Sequence, residues 1–176
     1  MENVLIETER MTIRRFTMED FGTASVFLKD PEVMYAWEHG FSDEEVTEWL
    51  EKNMARYQKH GYGWLCADDK QTGENVGTLG IIYNEGINGE AGWELGYIIN
   101  KSFWGKGYAA EGAAACAKYI LEEIGAPKVF SQMRVTNEAS RAVAEKIGMK
   151  HIGTYDRFYC GKTMPHHIYA EENQNV

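Results

Sequence analysis

Gly105 and Gly107 stand just ahead of a helix pattern rich in small residues, with Ala109, Ala110, Ala113 and Ala114 at its start. Glycine lets the backbone approach a ligand and turn several N–H groups one way, and a helix N-terminus adds partial positive charge. A strand–loop–helix of this kind is an anion site suited to a diphosphate. Lys101 and Lys106 bring formal charge to the same loop. Glu94 lies on the strand pattern that leads into it, between Trp93 and Leu95, where desolvation would raise its pKa and suit it to accept a proton. His166-His167 near Cys160 brings ligating side chains together on paper. Adjacent residues on a strand point to opposite faces, so no metal is expected there.

The spacing leaves other readings of the glycines open. Gly105-x-Gly107-x-x-Ala110 formally matches the dinucleotide fingerprint, which keeps a nicotinamide-dependent redox enzyme in view. That motif should follow its strand directly, yet Asn100 to Trp104 intervene, and the next strand ends in Val135-Thr136-Asn137 with no acid. Glycines that serve loop geometry alone are the plainest alternative. A P-loop, which needs Gly-Lys-Ser/Thr, is absent.

The elements that must position these residues follow from periodicity. Leu5–Arg14 reads as one strand, Met18–Lys29 as a short amphipathic helix, and Pro31–Trp37 as a further helical turn. Ser42-Asp43-Glu44-Glu45 is a capping box that opens a helix to His60. Strands are expected at Gly63–Asp68, Val76–Tyr83, Ala91–Asn100, Lys128–Thr136, His151–Tyr159 and Thr163–Ala170, with helices at Tyr108–Ile124 and Glu138–Ile147. The order implies an α/β (α+β mixed) fold, one sheet with helices on both faces. A chain of 176 residues is about one domain long. That domain is expected to span residues 1–171, with 172–176 as a frayed polar tail.

Composition narrows the partners. The formal net charge of −9 argues against nucleic acid, whose phosphates need an excess of Lys and Arg. No apolar run reaches the roughly 18 residues of a membrane span, and the charged first turns hold no signal-peptide core. The three widely spaced cysteines, Cys66, Cys116 and Cys160, form no C-x-x-C pair. A cytoplasmic location is the expectation. No motif speaks to assembly, so a homodimer is carried as one option.

The segment Phe103-Trp104-Gly105-Lys106-Gly107-Tyr108-Ala109-Ala110-Glu111, followed by Asn137…Ser140…Lys146-Ile147-Gly148-Met149, resembles the GNAT superfamily of acyl-CoA-dependent N-acetyltransferases. Its wording is similar to the ribosomal-protein (RimJ/RimL-like) branch. The family's loop pattern, Gln/Arg-x-x-Gly-x-Gly/Ala, maps onto Trp104–Ala109, with Trp104 where Gln or Arg is usual. The resemblance implies a mixed, mostly antiparallel central sheet and acetyl-CoA as cosubstrate. By the same resemblance, backbone groups of Ile98 and Ile99 pair with the pantetheine arm. Those of Trp104, Gly105, Lys106, Gly107, Tyr108, Ala109 and Ala110 surround the pyrophosphate, and Asn137 binds the pantetheine amide. Many relatives carry a Tyr seven residues beyond that Asn, where this chain has Ala144, so Ser140 is the nearest hydroxyl to the leaving sulfur. Gln132 stands where some relatives have a base Glu.

Attack of an amine on a thioester needs a neutral amine, an oxyanion donor and an outlet for the thiolate. An α-amine with a pKa near 8 is partly neutral at pH 7 and manages with a modest base, for which Glu94 is the candidate. Ser140 is the candidate hydrogen-bond partner of the sulfur. Trp37, Tyr155, Phe158 and Tyr159 are candidate linings of the acceptor cleft, and Glu38, His39 and Glu44 candidate greeters of a cationic amine. The expected reaction is acetyl transfer from acetyl-CoA to a protein N-terminal or small-molecule amine by direct attack in a ternary complex. Ala144 keeps open a non-catalytic acyl-CoA-binding or sensor protein of the same fold.

Overall fold

In the computed structural model, which describes residues 4–174, the N-terminal segment read as one strand folds back on itself. It forms β1 (Val4–Glu7) and β2 (Met11–Arg15). The break falls at Thr8, whose N–H donates to Met11 O and whose Oγ1 accepts from Met11 N, each at 2.9 Å. A hydroxyl that satisfies the backbone locally favours a turn over a continuing strand.

Two helices follow, α1 (Phe21–Leu28) and α2 (Asp43–His60). The capping box of α2 is made in full: Ser42 Oγ accepts from Glu45 N at 3.2 Å, and Glu45 Oε2 accepts from Ser42 N at 2.8 Å. Residues 31–34 form turns, and Tyr35–Trp37 a single 3₁₀ turn. Then come β3 (Trp64–Asp69), β4 (Asn75–Ile87), β5 (Glu90–Ile99), α3 (Tyr108–Glu122), β6 (Lys128–Arg134), α4 (Glu138–Lys146), β7 (Lys150–Tyr159) and β8 (Lys162–Glu172). Strand β4 runs past the expected Tyr83 because Asn88 and Gly89, at φ 48° and 87°, form a tight hairpin turn into β5. At the other end, β8 includes Glu171 and Glu172. Asn173 Nδ2 donates to Leu121 O at 2.7 Å, so the described part of the tail is tied down. Asn175 and Val176 lie outside the described residues.

The eight strands form one sheet in the order β1-β2-β3-β4-β5-β6-β8-β7, antiparallel throughout except at β5–β6. Small and apolar residues of α3 and α4, among them Ala113, Cys116, Ile120 and Ala144, pack on one face over Leu65, Leu79 and Leu95. On the other face, Phe27, Leu28, Val46 and Leu50 from α1 and α2 cover Cys66 and Ile98. The expected sheet with helices on both faces is the architecture observed.

The parallel pair is short. Only Trp93↔Val129 and Glu94↔Phe130 are in register; beyond them β5 stays with β4 as far as Gly77↔Ile99, while β6 stays with β8 as far as Arg134↔His166. The sheet therefore splits into a wedge-shaped gap that opens after Glu94. The far end of β5 is seated against Gly77, whose φ is +138° and whose added Cβ would lie 2.2 Å from Ile98 O and 2.9 Å from Ile99 Cα. Both obstacles are backbone. We expect Gly77→Ala to cost about 2–4 kcal/mol, lowering Tm by roughly 5–15 °C in a thermal melt.

Candidate active site

Strand alternation decides which backbone groups face the gap. Asn100 N donates to Val76 O at 2.8 Å, and Ile81 N donates away from β5 to Gly63 O at 3.0 Å. With Thr78 opposite Ile98, the N–H and C=O of Ile98 turn toward β4, whereas those of Tyr97 and Ile99 turn into the gap. Of the two residues expected to offer backbone groups, Ile99 turns its N–H and C=O to the gap, the C=O accepting from the Trp104 indole, and Ile98 turns away from it. Ile98 is instead buried in the core beneath α1 and α2, and Tyr97 takes its place. Only the register distinguishes them.

The gap leads to the loop before α3. A 3₁₀ turn at Lys101–Phe103 is followed by Gly105 at φ +70° and Gly107 at φ +83°, the latter directly ahead of Tyr108. No side chain caps this helix, and Glu111 N is the N–H that returns to Gly107 O, at 3.1 Å. The N–H groups of Tyr108, Ala109 and Ala110 are thus left without helical acceptors. With Gly105, Gly107 and Trp104 they line a cleft of about 1550 Å³ that runs through the gap. Trp104 turns its indole N–H onto Ile99 O at 2.7 Å, a link between loop and strand.

Two expected charges are committed elsewhere. Lys101 is paired with Glu32, and the Lys106 ammonium sits 5.5 Å from the centre of the Phe103 ring. The loop is braced from outside by Arg10, a residue that no local motif singled out. Its Nη1 donates to Lys106 O at 2.9 Å, its Nε and N to Glu111 at 2.6 and 2.9 Å, and its guanidinium lies 4.0 Å over the Tyr108 ring. Burial favours the protonated Glu111 carboxyl, but hydrogen bonds from Thr8 and Arg10 outweigh it and hold the group below its ordinary pKa. Tyr108 OH in turn donates to Asp69 at 2.6 Å.

Across the gap, Asn137 caps α4 through its Oδ1, which accepts from Ser140 N at 3.0 Å. That leaves its Nδ2 as a donor with no partner among the described residues. Ser140 O accepts from Tyr97 OH at 2.7 Å, so β5 and α4 are tied together directly over the cleft. Both Asn137 and Ser140 line it, while Ala144 is fully buried.

Glu94 opens onto the opposite side of the sheet, where its Oε2 accepts from Asn84 Nδ2 at 2.7 Å. Burial pushes its pKa up, and the Asn84 and Gln132 amides with the Arg157 and Arg56 guanidiniums pull only part of the way back. Gln132 itself accepts a short hydrogen bond from Tyr155 OH. Trp37 and Tyr159 line this half of the cleft with Trp49, Trp64 and Tyr83, which sequence reasoning did not place there. Phe158 is 78% exposed, and Tyr155 stands behind the cleft, reaching its lining residues Gln132 and His166. The expected greeters of a cationic amine are occupied: Glu38 is paired with Arg134 and Lys162, His39 with Glu45, and Glu44 with Ser42 Oγ. His166 faces the cleft and His167 faces His151, on opposite sides of β8.

This arrangement can hold an anion at the N-terminus of α3, align an extended chain along β5, and accept a proton at Glu94. Comparison with known proteins identifies the family and the fold. The family described as Acetyltransferase (GNAT) domain matches residues 10–150. The chain is 34% identical over 172 residues to the uncharacterized protein YkkB of Bacillus subtilis, covering 96% of this chain and 95% of that one. It is similar to the crystal structure of a GNAT-family acetyltransferase from Bacillus anthracis, with TM-score 0.82, 26% identity, and 96% and 98% of the two chains covered. RimL, a ribosomal alpha-N-protein acetyltransferase solved in complex with coenzyme A, shares the fold with TM-score 0.77 at 19% identity, over 99% of each chain.

The raised pKa of Glu94 has a consequence for stability. A carboxyl whose pKa is higher in the folded than in the unfolded chain contributes stability at acid pH that is lost as pH rises through the folded value. Glu94→Gln keeps an acceptor for Asn84 and removes the charge. Its Tm is expected to exceed that of the parent at pH 7–8, with the advantage vanishing below about pH 4. Thermal melts across that range check it; an advantage that does not change with pH would contradict the assigned burial cost.

Proposed function

We propose, since this chain belongs to the GNAT acetyltransferase family, that it moves an acetyl group from acetyl-CoA to a primary amine by direct attack in a ternary complex. One observation carries the reading. The sheet opens after Glu94 beside an uncapped helix N-terminus, so unpaired strand groups and free N–H donors line one cleft. That pairing fits coenzyme A at both ends. The diphosphate meets the N–H groups of Gly107 through Ala110, and the amide-bearing pantetheine arm runs along Tyr97 and Ile99 as an added strand would. Asn137 Nδ2 supplies a donor on the other wall of the gap. Coulombic help from Lys101 and Lys106 is not part of this reading, because their side chains point elsewhere.

The amine approaches from the Glu94 side of the sheet. Its nitrogen forms the new bond to the acetyl carbon, the carbon–sulfur bond breaks, and the amine proton passes to Glu94, directly or through one water. A backbone N–H of β5 facing the gap steadies the developing oxyanion. The sulfur leaves as a thiolate, a tolerable leaving group at a thiol pKa of about 8.5, with Ser140 as its hydrogen-bonding neighbour. The pattern of Trp104–Ala109 with Asn137 and Ser140 supports a place beside the ribosomal-protein N-acetyltransferases and an α-amine as the acceptor.

Release of free thiol from acetyl-CoA that depends on an added amine tests the proposal, and a broad amine panel giving none would refute it. Two variants separate its parts. Gly107→Asp places a carboxylate and a strained side chain beside the phosphate donors, and should weaken coenzyme A binding by about 100-fold or more, equivalent to roughly 2.8 kcal/mol, in a titration calorimeter. Glu94→Gln should lower kcat by about 10²–10³-fold while the Kd for acetyl-CoA stays the same, and should flatten the acid limb of the pH–rate profile. Unchanged kinetics would remove Glu94 from the reaction.

A further inference from the structure

The protein carries a net charge of −9, yet six lysines and arginines line the cleft against three glutamates. Three of the cations are committed: Lys52 to Glu48, Lys59 to Glu85, and Arg134 to Glu38. Lys146 belongs to α4, on the wall assigned above to coenzyme A. Two remain on the Glu94 side, Arg56 from α2 and Arg157 from β7. Neither guanidinium makes a hydrogen bond or lies within 4 Å of a carboxylate among the described residues, although both are close enough to Glu94 to act on it electrostatically; Arg56 is half-buried and Arg157 exposed.

A half-buried guanidinium without a counter-ion is costly, and burial correspondingly lowers the pKa of Arg56. Had the pair served only to neutralise Glu94, contact with its oxygens would be the cheap arrangement. The contact Glu94 makes is with the Asn84 amide, which leaves the planar forks of both arginines open. Arg157 and Glu94 share a face of the sheet. On that face Glu94 stands beside Phe130, Gln132 lies opposite Ile168, and Tyr155 and Arg157 lie opposite His166 and Met164. Helix α2 brings Arg56 over the same face together with Trp49.

Resting on the acetyl-transfer reading, we propose that the acceptor is a small amine that also bears a carboxylate, of the amino-acid class, with its carboxylate held by Arg56 and Arg157 and its amine at Glu94. The neighbouring wall selects the rest of the molecule. Trp49 and Trp64 lie with ring centroids 6.2 Å apart, and Gly96 is kept free of a side chain by Trp64, whose ring a Cβ there would meet at 2.6 Å. Together they present an aromatic surface to an apolar or aromatic side chain. A protein N-terminus has an amide where an amino acid has its carboxylate, so this site favours the free acid.

Matched acceptors test the proposal: phenylalanine, phenylalaninamide, phenethylamine and the phosphonate analogue of phenylalanine. Each is titrated calorimetrically into the protein saturated with coenzyme A, and each is assayed for acetylation. The expected result is that phenylalanine binds about tenfold or more tightly than its amide or the decarboxylated amine. Arg56→Gln and Arg157→Gln should each shrink that margin to within about twofold, without altering the Kd for coenzyme A. Equal binding of acid and amide, binding of neither, or a margin that survives both substitutions overturns the proposal. A phosphonate bound tighter than the carboxylate overturns the choice of a carboxylate in favour of a phosphate-like group. Tight, arginine-dependent binding of the acid with no acetylation would uphold the anion site and refute acetyl transfer instead.

Discussion

The molecule depends on a sheet prevented from closing. Strands β5 and β6 are in register only at Trp93↔Val129 and Glu94↔Phe130, and each is then carried away by a different antiparallel partner. At the apex the packing is tight: a Cβ on Gly92 would meet the Phe130 ring at 2.6 Å. Beyond it, backbone groups that a continuous sheet would pair are left facing a cleft. Unpaired buried backbone is expensive, which is why strands normally zip to their ends. Here the longer ladders on either side, β4–β5 and β6–β8, hold the wedge open against that tendency.

An open edge is useful only if its surroundings stay in place, and the cleft is braced where its own groups are kept free. On the loop side, Arg10 grips Glu111 and the Lys106 carbonyl from outside, which holds the first turn of α3 in place while its N–H groups stay uncapped. On the other side, the hydroxyl of Tyr97 reaches Ser140 O and fixes the start of α4 relative to β5. Both braces join residues far apart in the chain. The second crosses the gap itself, between β5 and α4.

That long range explains what was legible in the sequence. The capping box of α2, the glycines ahead of α3 and the order of strands and helices are local signals, and the structure follows them closely. The turn at Thr8 was missed because Leu5–Arg14 alternates well enough to pass for a single strand. Asn88-Gly89 was a hairpin signal in plain view that extends β4 and β5 beyond their apolar runs. The choice of Tyr97 and Ile99 over Ile98 depends on hydrogen-bond parity, which no composition reveals. Residue type likewise gave no sign that Glu38 is spent on Arg134 and Lys162, or that Lys101 is spent on Glu32.

Several groups that escape such pairing lie along the cleft, although the buried Ser25 Oγ and Asn75 Oδ1 are unpartnered elsewhere among the described residues. The uncapped N–H groups of α3, the backbone of β5 facing the gap, the Nδ2 of Asn137, the desolvated carboxyl of Glu94 and the half-buried guanidinium of Arg56 are each locally unfavourable. Elsewhere the same kinds of group find partners: Ser42 caps α2, Glu111 answers Arg10, and Asp69 accepts from Tyr108 and the Thr72 backbone. A fold that satisfies its polar groups in general but leaves several unmet along one cleft has placed its local conflicts where bound molecules can resolve them. In the proposed reading, the diphosphate and amide chemistry of the donor would answer the unmet groups at the gap and the helix. An acceptor basic at one end and acidic at the other would answer those beside Glu94.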